Sequence, residues 1–525
     1  MPKVLISDNL SARAVEIFRE RQIEVDFEPG IKGDELVTKI GDADGLAIRS
    51  ATMVTAALLD AAKSLKVVGR AGIGIDNVDV DAATQRGVVV MNTPFGNSVT
   101  TAEHAIAMMM SLARQLPIAN ASTHAGKWEK SAFMGMELAS KTLGLIGCGN
   151  IGSIVVDRAQ GLKMRVVVYD PFLSPEKATG LGVEKVSFDD LLCRADVVTI
   201  HAPLTDSTRD LLDAVAFAKM KDGVRIVNCA RGGIIVERDL RDAILSGKVA
   251  GAAIDVFAEE PAHENVLFGM PDVIATPHLG AATSEAQENV ALQVAEQMSD
   301  YLLSGAVSNA INMPSMTAEE APKLKPYMSL AEKLGSFAGQ MTETGLQGAT
   351  IEFQGHVATL NTRPLVSSAI AGLLRPQLDN INMVNAVGVA RDRGIDIVET
   401  KQEQPGDYET MIRLTVRTER QERSVGGTIF GGDRERIVEI KGIPIEAELG
   451  RYMLYITNKD RPGVIGDLGK TLGDNGVNIA TFHLGRWAPG DDAIALLQID
   501  NVIDEPLLKD LENLPNIVQV KPLAF

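Results

Sequence analysis

The chain has 525 residues, too many for a single hydrophobic core, and 45% of them are hydrophobic, as in ordinary globular proteins. Its 51 basic residues against 69 acidic ones leave a formal charge of −18, which argues against nucleic acid as a partner but not against an anionic small molecule held by a few local arginines. Three cysteines without paired spacing, no signal-peptide layout in MPKVLISDNL and no apolar run of membrane-spanning length point to a cytoplasmic protein without structural disulfides or a membrane anchor.

Short β-branched runs come first: KVLISD, GLAIRS, KVVGRAG and VVVMNTP punctuate residues 3–94. A long helical pattern follows from Ser98 to Ala119. A second series then reads KTLGLIG, RVVVYD, ADVVTIHAP, RIVNCARG, AGAAIDVF and DVIATPH, ending at His278. Apolar runs that do not alternate, separated by helices, read as parallel sheets covered on both faces. Two doubly wound α/β units are therefore predicted. The amphipathic stretch 284–305 reads as a helix that crosses back, so residues 285–312 are expected to complete the first unit (1–97), with the second spanning 98–284.

The texture then changes. Residues 313–326 carry three prolines and read as a linker. Residues 327–448 give a mixed α+β pattern with no chemical motif. Residues 449–525 give strand, helix, strand, strand, helix, strand, which is the ferredoxin-like split unit.

The run GLIGCGNIGSIVV supplies Gly147-x-Gly149-x-x-Gly152 after a predicted strand and at the start of a helix, with Asn150 and Ile151 inside the turn. Alone, a glycine triplet is as well explained by an incidental turn. Here the next strand ends at Asp170, 18 residues beyond Gly152, near the spacing of a ribose-binding acid. Glycines permit a tight turn and close approach of pyrophosphate, and the helix N-terminus offers unpaired N–H groups. Asp170 would repel a 2′-phosphate and Pro171 is not basic, so NAD is favoured over NADP. Cys148 reads as a small filler.

Three later strand ends carry Arg231 in NCARGG, Asp255 and Glu260 in DVFAEEP, and His278 in TPHLGAAT. Taking a hydride from a secondary alcohol also requires removal of the hydroxyl proton, which a histidine paired with a carboxylate can accept. A guanidinium can polarise the carbonyl of the reverse reaction. Singly, each has a plainer reading: a turn histidine, a surface arginine, a strand-end cap.

These motifs, in this order, resemble the D-2-hydroxyacid dehydrogenase family over residues 1 to about 312. The resemblance implies that His278 is the base, Glu260 its partner, Arg231 the substrate-orienting arginine and Asp255 a support of the histidine. Arg231, Asp255 and His278 then also border the cofactor. It further implies a substrate domain built from both ends of this region, an active site between the units, and a homo-oligomer, dimer or tetramer.

Substrate identity is expected in the first unit. GLAIRSATMVT places Arg49, Ser50 and Thr52 at a strand end, and VVGRAGIGIDNVD adds Arg70 with Gly72, Ile73 and Gly74. A glycine turn makes an anion nest suited to a carboxylate, and arginine with hydroxyls suits phosphate. A strand-end salt bridge is the alternative for Arg49. IRSATMVT, VGRAGIGIDNVD and the layout after residue 312 are similar to the long-type 3-phosphoglycerate dehydrogenases within that family. That likeness implies oxidation of 3-phospho-D-glycerate with NAD, the entry step to serine. Arg49, Ser50 and Arg70 would hold the phosphate, with Gly72, Ile73, Gly74 and Asn97 near the carboxylate.

It also implies that residues 327–448 are an intervening domain, where Arg434, Arg436 and Lys441 are either anion-binding or solvated surface. The last unit would be an ACT domain, with Asn458, Asp460 and Asn478 as effector contacts for L-serine. Asn458 departs from the histidine or aromatic residue that relatives often carry there. A glyoxylate or hydroxypyruvate reductase, and a non-enzymatic NAD-sensing scaffold, are the competing readings. No motif calls for a metal.

Overall fold

The computed structural model describes residues 1–525. They divide into two units: Met1–Arg70 with Ile75–Asn92 and Val294–Phe525, and Ala71–Gly74 with Thr93–Gln293. No helix is long and apolar enough to cross a membrane.

The first unit begins with a parallel sheet of β1 (Lys3–Ile6), β2 (Glu24–Phe27), β3 (Gly45–Ile48), β4 (Val67–Arg70) and β5 (Val89–Met91), in the order β2-β1-β3-β4-β5. β3 and β5 are buried throughout, which explains why these runs do not alternate. The helix Ser284–Ser304 covers β3 and β4 from Val294 onward. Gly69 has no room for a side chain, because a methyl there would fall 2.2 Å from Met298 Sδ. Residues beyond this helix extend the sheet edge: Ile311 N–H donates to Val90 O at 2.8 Å, and Val90 N–H to Asn312 Oδ1 at 2.9 Å.

The second unit holds a seven-stranded parallel sheet of β6 (Thr142–Ile146), β7 (Arg165–Tyr169), β8 (Glu184–Lys185), β9 (Val197–Ile200), β10 (Val224–Asn228), β11 (Val249–Ile254) and β12 (Val273–Ala275). The order is β12-β11-β10-β9-β6-β7-β8, so the winding reverses between β6 and β9. That is the doubly wound order, and ligands bind outside the carboxyl ends of its strands at the reversal. The helical pattern predicted over Ser98–Ala119 is two helices, Ser98–Ala113 and Leu116–His124. Gln115 takes a left-handed φ of 52°, and Pro117 sits in the first turn of the second helix, where a missing N–H costs nothing.

The remaining first-unit residues form two further sheets. β13 (Leu346–Gly355), β14 (Asp396–Gln402), β15 (Thr410–Thr418), β16 (Glu422–Phe430), β17 (Arg434–Ile440) and β18 (Ile443–Glu448) run in the order β14-β13-β15-β16-β17-β18, antiparallel except for the β13–β14 pair. Two helices, Ala321–Gln340 and Arg363–Leu374, pack together beside this sheet. Their backbones touch at glycines: a methyl on Gly372 would lie 2.0 Å from Glu332 O, and one on Gly335 would lie 2.1 Å from Ala369 O. The stretch expected as a linker is not extended throughout. Met316 bridges Val307, and residues 321–326 already belong to the long helix, with Pro322 in its tolerant first turn and Pro326 inside it.

β19 (Tyr452–Lys459), β20 (Ile479–Arg486), β21 (Asp492–Ile499) and β22 (Ile517–Ala524), with helices Val464–Asp474 and Glu505–Glu512, make an antiparallel sheet in the order β20-β21-β19-β22. This is the βαββαβ unit predicted from the sequence.

Candidate active site

At the reversal point each fingerprint glycine has its own physical reason. Gly147 has φ 89°, and a methyl there would meet His201 O at 2.7 Å. Gly152 lies in the first turn of the helix Asn150–Gly161, and a methyl there would strike Gly147 O at 2.2 Å. Gly149 is different: it is exposed, and nothing lies within 4 Å of its missing side chain. The open approach at Gly149 and the N-terminus behind it, where Asn150 is also exposed, fit a pyrophosphate. Asp170, just past β7, accepts from Cys148 N–H at 2.7 Å and from Phe172 N–H at 2.7 Å, which fixes its carboxylate beside the glycine loop. Cys148 is buried, and burial together with Asp170 pushes its thiol up, in keeping with a filler.

His201 follows β9, just behind this loop. Burial lowers it from 6.5 to about 4, and Nε2 lies 2.9 Å from Thr199 Oγ1. Between those values the unfolded chain takes up a proton that the folded chain refuses, so stability is complete above about pH 6.5 and declines as pH falls toward 4. Thermal melts of wild type and His201→Gln across this window should differ in slope, by up to about 3 kcal/mol in total. Equal slopes would show that His201 does not stay neutral.

The candidate reacting groups stand at the ends of β10, β11 and β12. Asn228, the last residue of β10, shapes the first loop: Nδ2 donates to Arg231 O at 2.9 Å and Oδ1 accepts from Ala230 N–H at 3.0 Å. Gly232 lets this loop touch the next, since a methyl there would overlap Phe257 O at 1.8 Å. His278 Nδ1 meets Glu260 Oε2 at 2.7 Å, and Phe257 N–H holds Glu260 Oε1 at 2.9 Å. Burial favours the neutral Glu260 carboxyl, but the His278 contact and the Phe257 amide outweigh it and hold Glu260 below its usual range. Nδ1 is thereby committed to the carboxylate. Nε2 is the nitrogen left to take a proton.

Asp255 is completely buried. It accepts from Thr276 Oγ1 at 2.6 Å, Leu279 N–H at 2.8 Å and Gly280 N–H at 2.9 Å, while its own carbonyl accepts from His278 N–H at 2.9 Å. His104 Nε2 stands 3.3 Å away, on the helix Ser98–Ala113. Burial pushes Asp255 up, and the His104, Thr276 and Leu279 contacts bring it below its ordinary value. The turn they secure holds His278 at a left-handed φ of 53°, a conformation rarely adopted without such restraint. His104, Asn228 and Thr276 were not singled out from the sequence, because an isolated polar residue in an apolar run gives no signal of its own.

In the first unit, Arg49 and Ser50 follow β3, and Arg70 ends the adjacent β4 in register with Ile48. The loop is set by Asp8, which accepts from Arg49 N–H at 2.7 Å, Ala51 N–H at 3.1 Å and Thr52 Oγ1 at 2.6 Å. Asn77 Nδ2 donates to Arg49 O at 2.8 Å and to Thr52 O at 2.7 Å. Both residues escaped sequence reading, and both act on backbone rather than on a motif. Among the nest residues of the second unit, Gly72 N–H donates to Thr93 Oγ1 at 2.7 Å. Asn97 is buried at the start of the helix Ser98–Ala113, and its Oδ1 has no partner.

In the terminal sheet, Asn458 is buried, with Nδ2 on Lys459 O at 3.0 Å and Oδ1 unpartnered. Asp460 accepts from Gly490 N–H at 3.0 Å and pairs with Arg486, while Asn478 donates to Asp500 at 2.8 Å. Asp460 is therefore already engaged by a guanidinium.

A doubly wound sheet with a glycine fingerprint, an acid after the second strand and a His–Glu pair at later strand ends defines a dinucleotide-dependent dehydrogenase. Family models match in the same places: the NAD binding domain of D-isomer specific 2-hydroxyacid dehydrogenases over residues 106–280, the D-3-phosphoglycerate dehydrogenase intervening domain over 323–441, and the ACT domain over 452–516. The chain is 44% identical to a D-3-phosphoglycerate dehydrogenase of Bacillus subtilis, covering 99% of each chain, and 42% identical to one of Synechocystis, covering 98% of this chain and 94% of the other. Among solved structures, NAD-bound 3-phosphoglycerate dehydrogenase of Entamoeba histolytica is 30% identical, covering 59% of this chain and 98% of that one with a TM-score of 0.51. The chain belongs to the D-3-phosphoglycerate dehydrogenase family, within the D-isomer specific 2-hydroxyacid dehydrogenases.

Proposed function

We propose that this chain oxidises the C2 hydroxyl of 3-phospho-D-glycerate to 3-phosphohydroxypyruvate, the first step of the phosphorylated route to L-serine. The observation that carries the chemistry is the His278–Glu260 pair, 2.7 Å apart, on the sheet that bears the glycine fingerprint. Full-length likeness to relatives of that name supports the substrate. NAD, when bound, accepts the hydride from C2. His278 Nε2 takes the hydroxyl proton, and Glu260 stabilises the resulting imidazolium. Arg231 orients the substrate and draws electron density from the oxygen as the carbonyl forms. Arg49, Ser50 and Arg70 hold the phosphate, and Gly72, Ile73, Gly74 and Asn97 face the carboxylate.

Arg49→Ala and Arg70→Ala test the substrate assignment. Each should raise KM for 3-phosphoglycerate about ten- to a hundred-fold, the loss expected for a charge-assisted hydrogen bond, and leave KM for NAD unchanged. Unphosphorylated glycerate should be indifferent to both changes. If glycerate suffers equally, the arginines do not read phosphate.

The same reading makes the protein a cytoplasmic homo-oligomer with an L-serine site at Asn458, Asp460 and Asn478. The buried, unpartnered Asn458 Oδ1 is a ready acceptor for an ammonium group. Arg486 must share or yield Asp460 for that ligand to bind. A thermal shift that saturates with L-serine, and is absent in Asp460→Ala, is the expected result.

A further inference from the structure

Where the third sheet meets β19, a pocket opens whose wall is Phe337, Met341, Val416, Val425 and Ile440. It has about 470 Å³ of atom-free space when its open mouth is counted. Tyr455, Arg423 and Lys441 are among the donors that line it. Tyr455 is completely buried, its ring packs edge-on against Phe337 at 5.8 Å, and its hydroxyl has no partner. Arg423 donates one η nitrogen to Met341 O, but its buried Nε–H is unpartnered.

Lys441 sits in the tight turn between β17 and β18 at a left-handed φ of 51°, pinned by its own N–H on Ser424 O at 2.8 Å. No carboxylate forms an ion pair with Arg423 or Lys441. The one acid on the rim, Glu343, is paired with Lys521 at 2.9 Å. Partial burial and the charge of Arg423 hold the Lys441 ammonium below its ordinary value, and burial raises the Tyr455 hydroxyl to about 12 against the pull of Arg423. Of the other basic residues of this sheet, Arg436 is already paired with Glu448 at 2.6 Å.

Two positive charges and a buried hydroxyl without an acceptor, set in an apolar wall, call for an anion. The clustered donors suit a two-oxygen head group and the apolar wall a short tail. We infer that this pocket is a binding site for the carboxylate of a small aliphatic acid, held by Tyr455, Arg423 and Lys441. Its occupant would touch both β19 of the terminal domain and the neighbouring sheet.

Calorimetric titration of the full-length protein with sodium acetate and butyrate, against sodium chloride and phosphate at matched ionic strength, tests the site. Saturable binding of the carboxylates is expected in wild type, weakened at least about ten-fold in Tyr455→Phe and in Lys441→Gln, with turnover in the absence of added acid unchanged. Lys441→Gln alters an exposed turn, so its folding is not at issue, and it leaves any binding at the dehydrogenase site intact. Absence of saturable carboxylate binding, equal affinity in Lys441→Gln, or chloride binding as well as acetate would each overturn the inference.

Discussion

His278→Ala should lower kcat by about a thousand-fold, within the range of about 10²–10⁴ for a removed general base, and leave NAD affinity within about two-fold. Nδ1 of His278 is committed to Glu260 at 2.7 Å, and the side chain is half exposed at the strand end, so its loss removes the proton acceptor without touching the glycine loop. The drop corresponds to about 4 kcal/mol of transition-state stabilisation. Glu260→Gln should cost less. Without the carboxylate, the imidazolium that forms loses its counter-charge. Stopped-flow hydride transfer and fluorescence titration of NADH separate the two quantities. A variant with wild-type kcat would remove His278 from the chemistry.

Asp255→Ala should be damaging in a different way, lowering stability by about 3–5 kcal/mol and kcat together. The carboxylate is fully buried, and its removal strands the Leu279 and Gly280 amides and the Thr276 hydroxyl. The same groups restrain the turn that holds His278 at φ 53°. Asp255→Asn keeps the shape but turns an amide donor toward other donors, so it should fall between wild type and alanine. Because Asp255 is held below its ordinary value, its contribution is present above the usual carboxylate range and is lost as pH falls through the folded value. Urea melts and kcat measured on the same preparations check this. Unchanged stability with unchanged kcat would reduce Asp255 to a strand-end cap.

The dinucleotide sheet could be read from the chain because each buried strand is a short unbroken apolar run with a glycine or polar residue at its carboxyl end. Asp170, Arg231, Asp255, Glu260 and His278 were legible for the same reason. What escaped was whatever depends on backbone or on distance in sequence. Helicity through Leu116 looked continuous, and only the left-handed Gln115 shows why it breaks. Asp8 and Asn77 act on the Arg49 loop through amides and carbonyls, leaving no pattern of residue types. The intervening sheet is half-buried and mostly antiparallel, with pairs such as Arg413 and Glu439 on its surface, so its strands blur into polar sequence. The pocket at Tyr455 joins side chains more than a hundred residues apart, from Phe337 to Tyr455, and no local motif could announce it.

The proposed function has this chain reduce NAD at the expense of 3-phosphoglycerate. Its most direct test is kcat/KM for NADH formation by the purified full-length chain with 3-phospho-D-glycerate and with D-glycerate, product trapped to pull the reaction forward. A preference for the phosphorylated acid of about a hundred-fold or more is expected, as two arginine contacts to phosphate would give. Equal use of both acids, or a preference for glycerate, would contradict it.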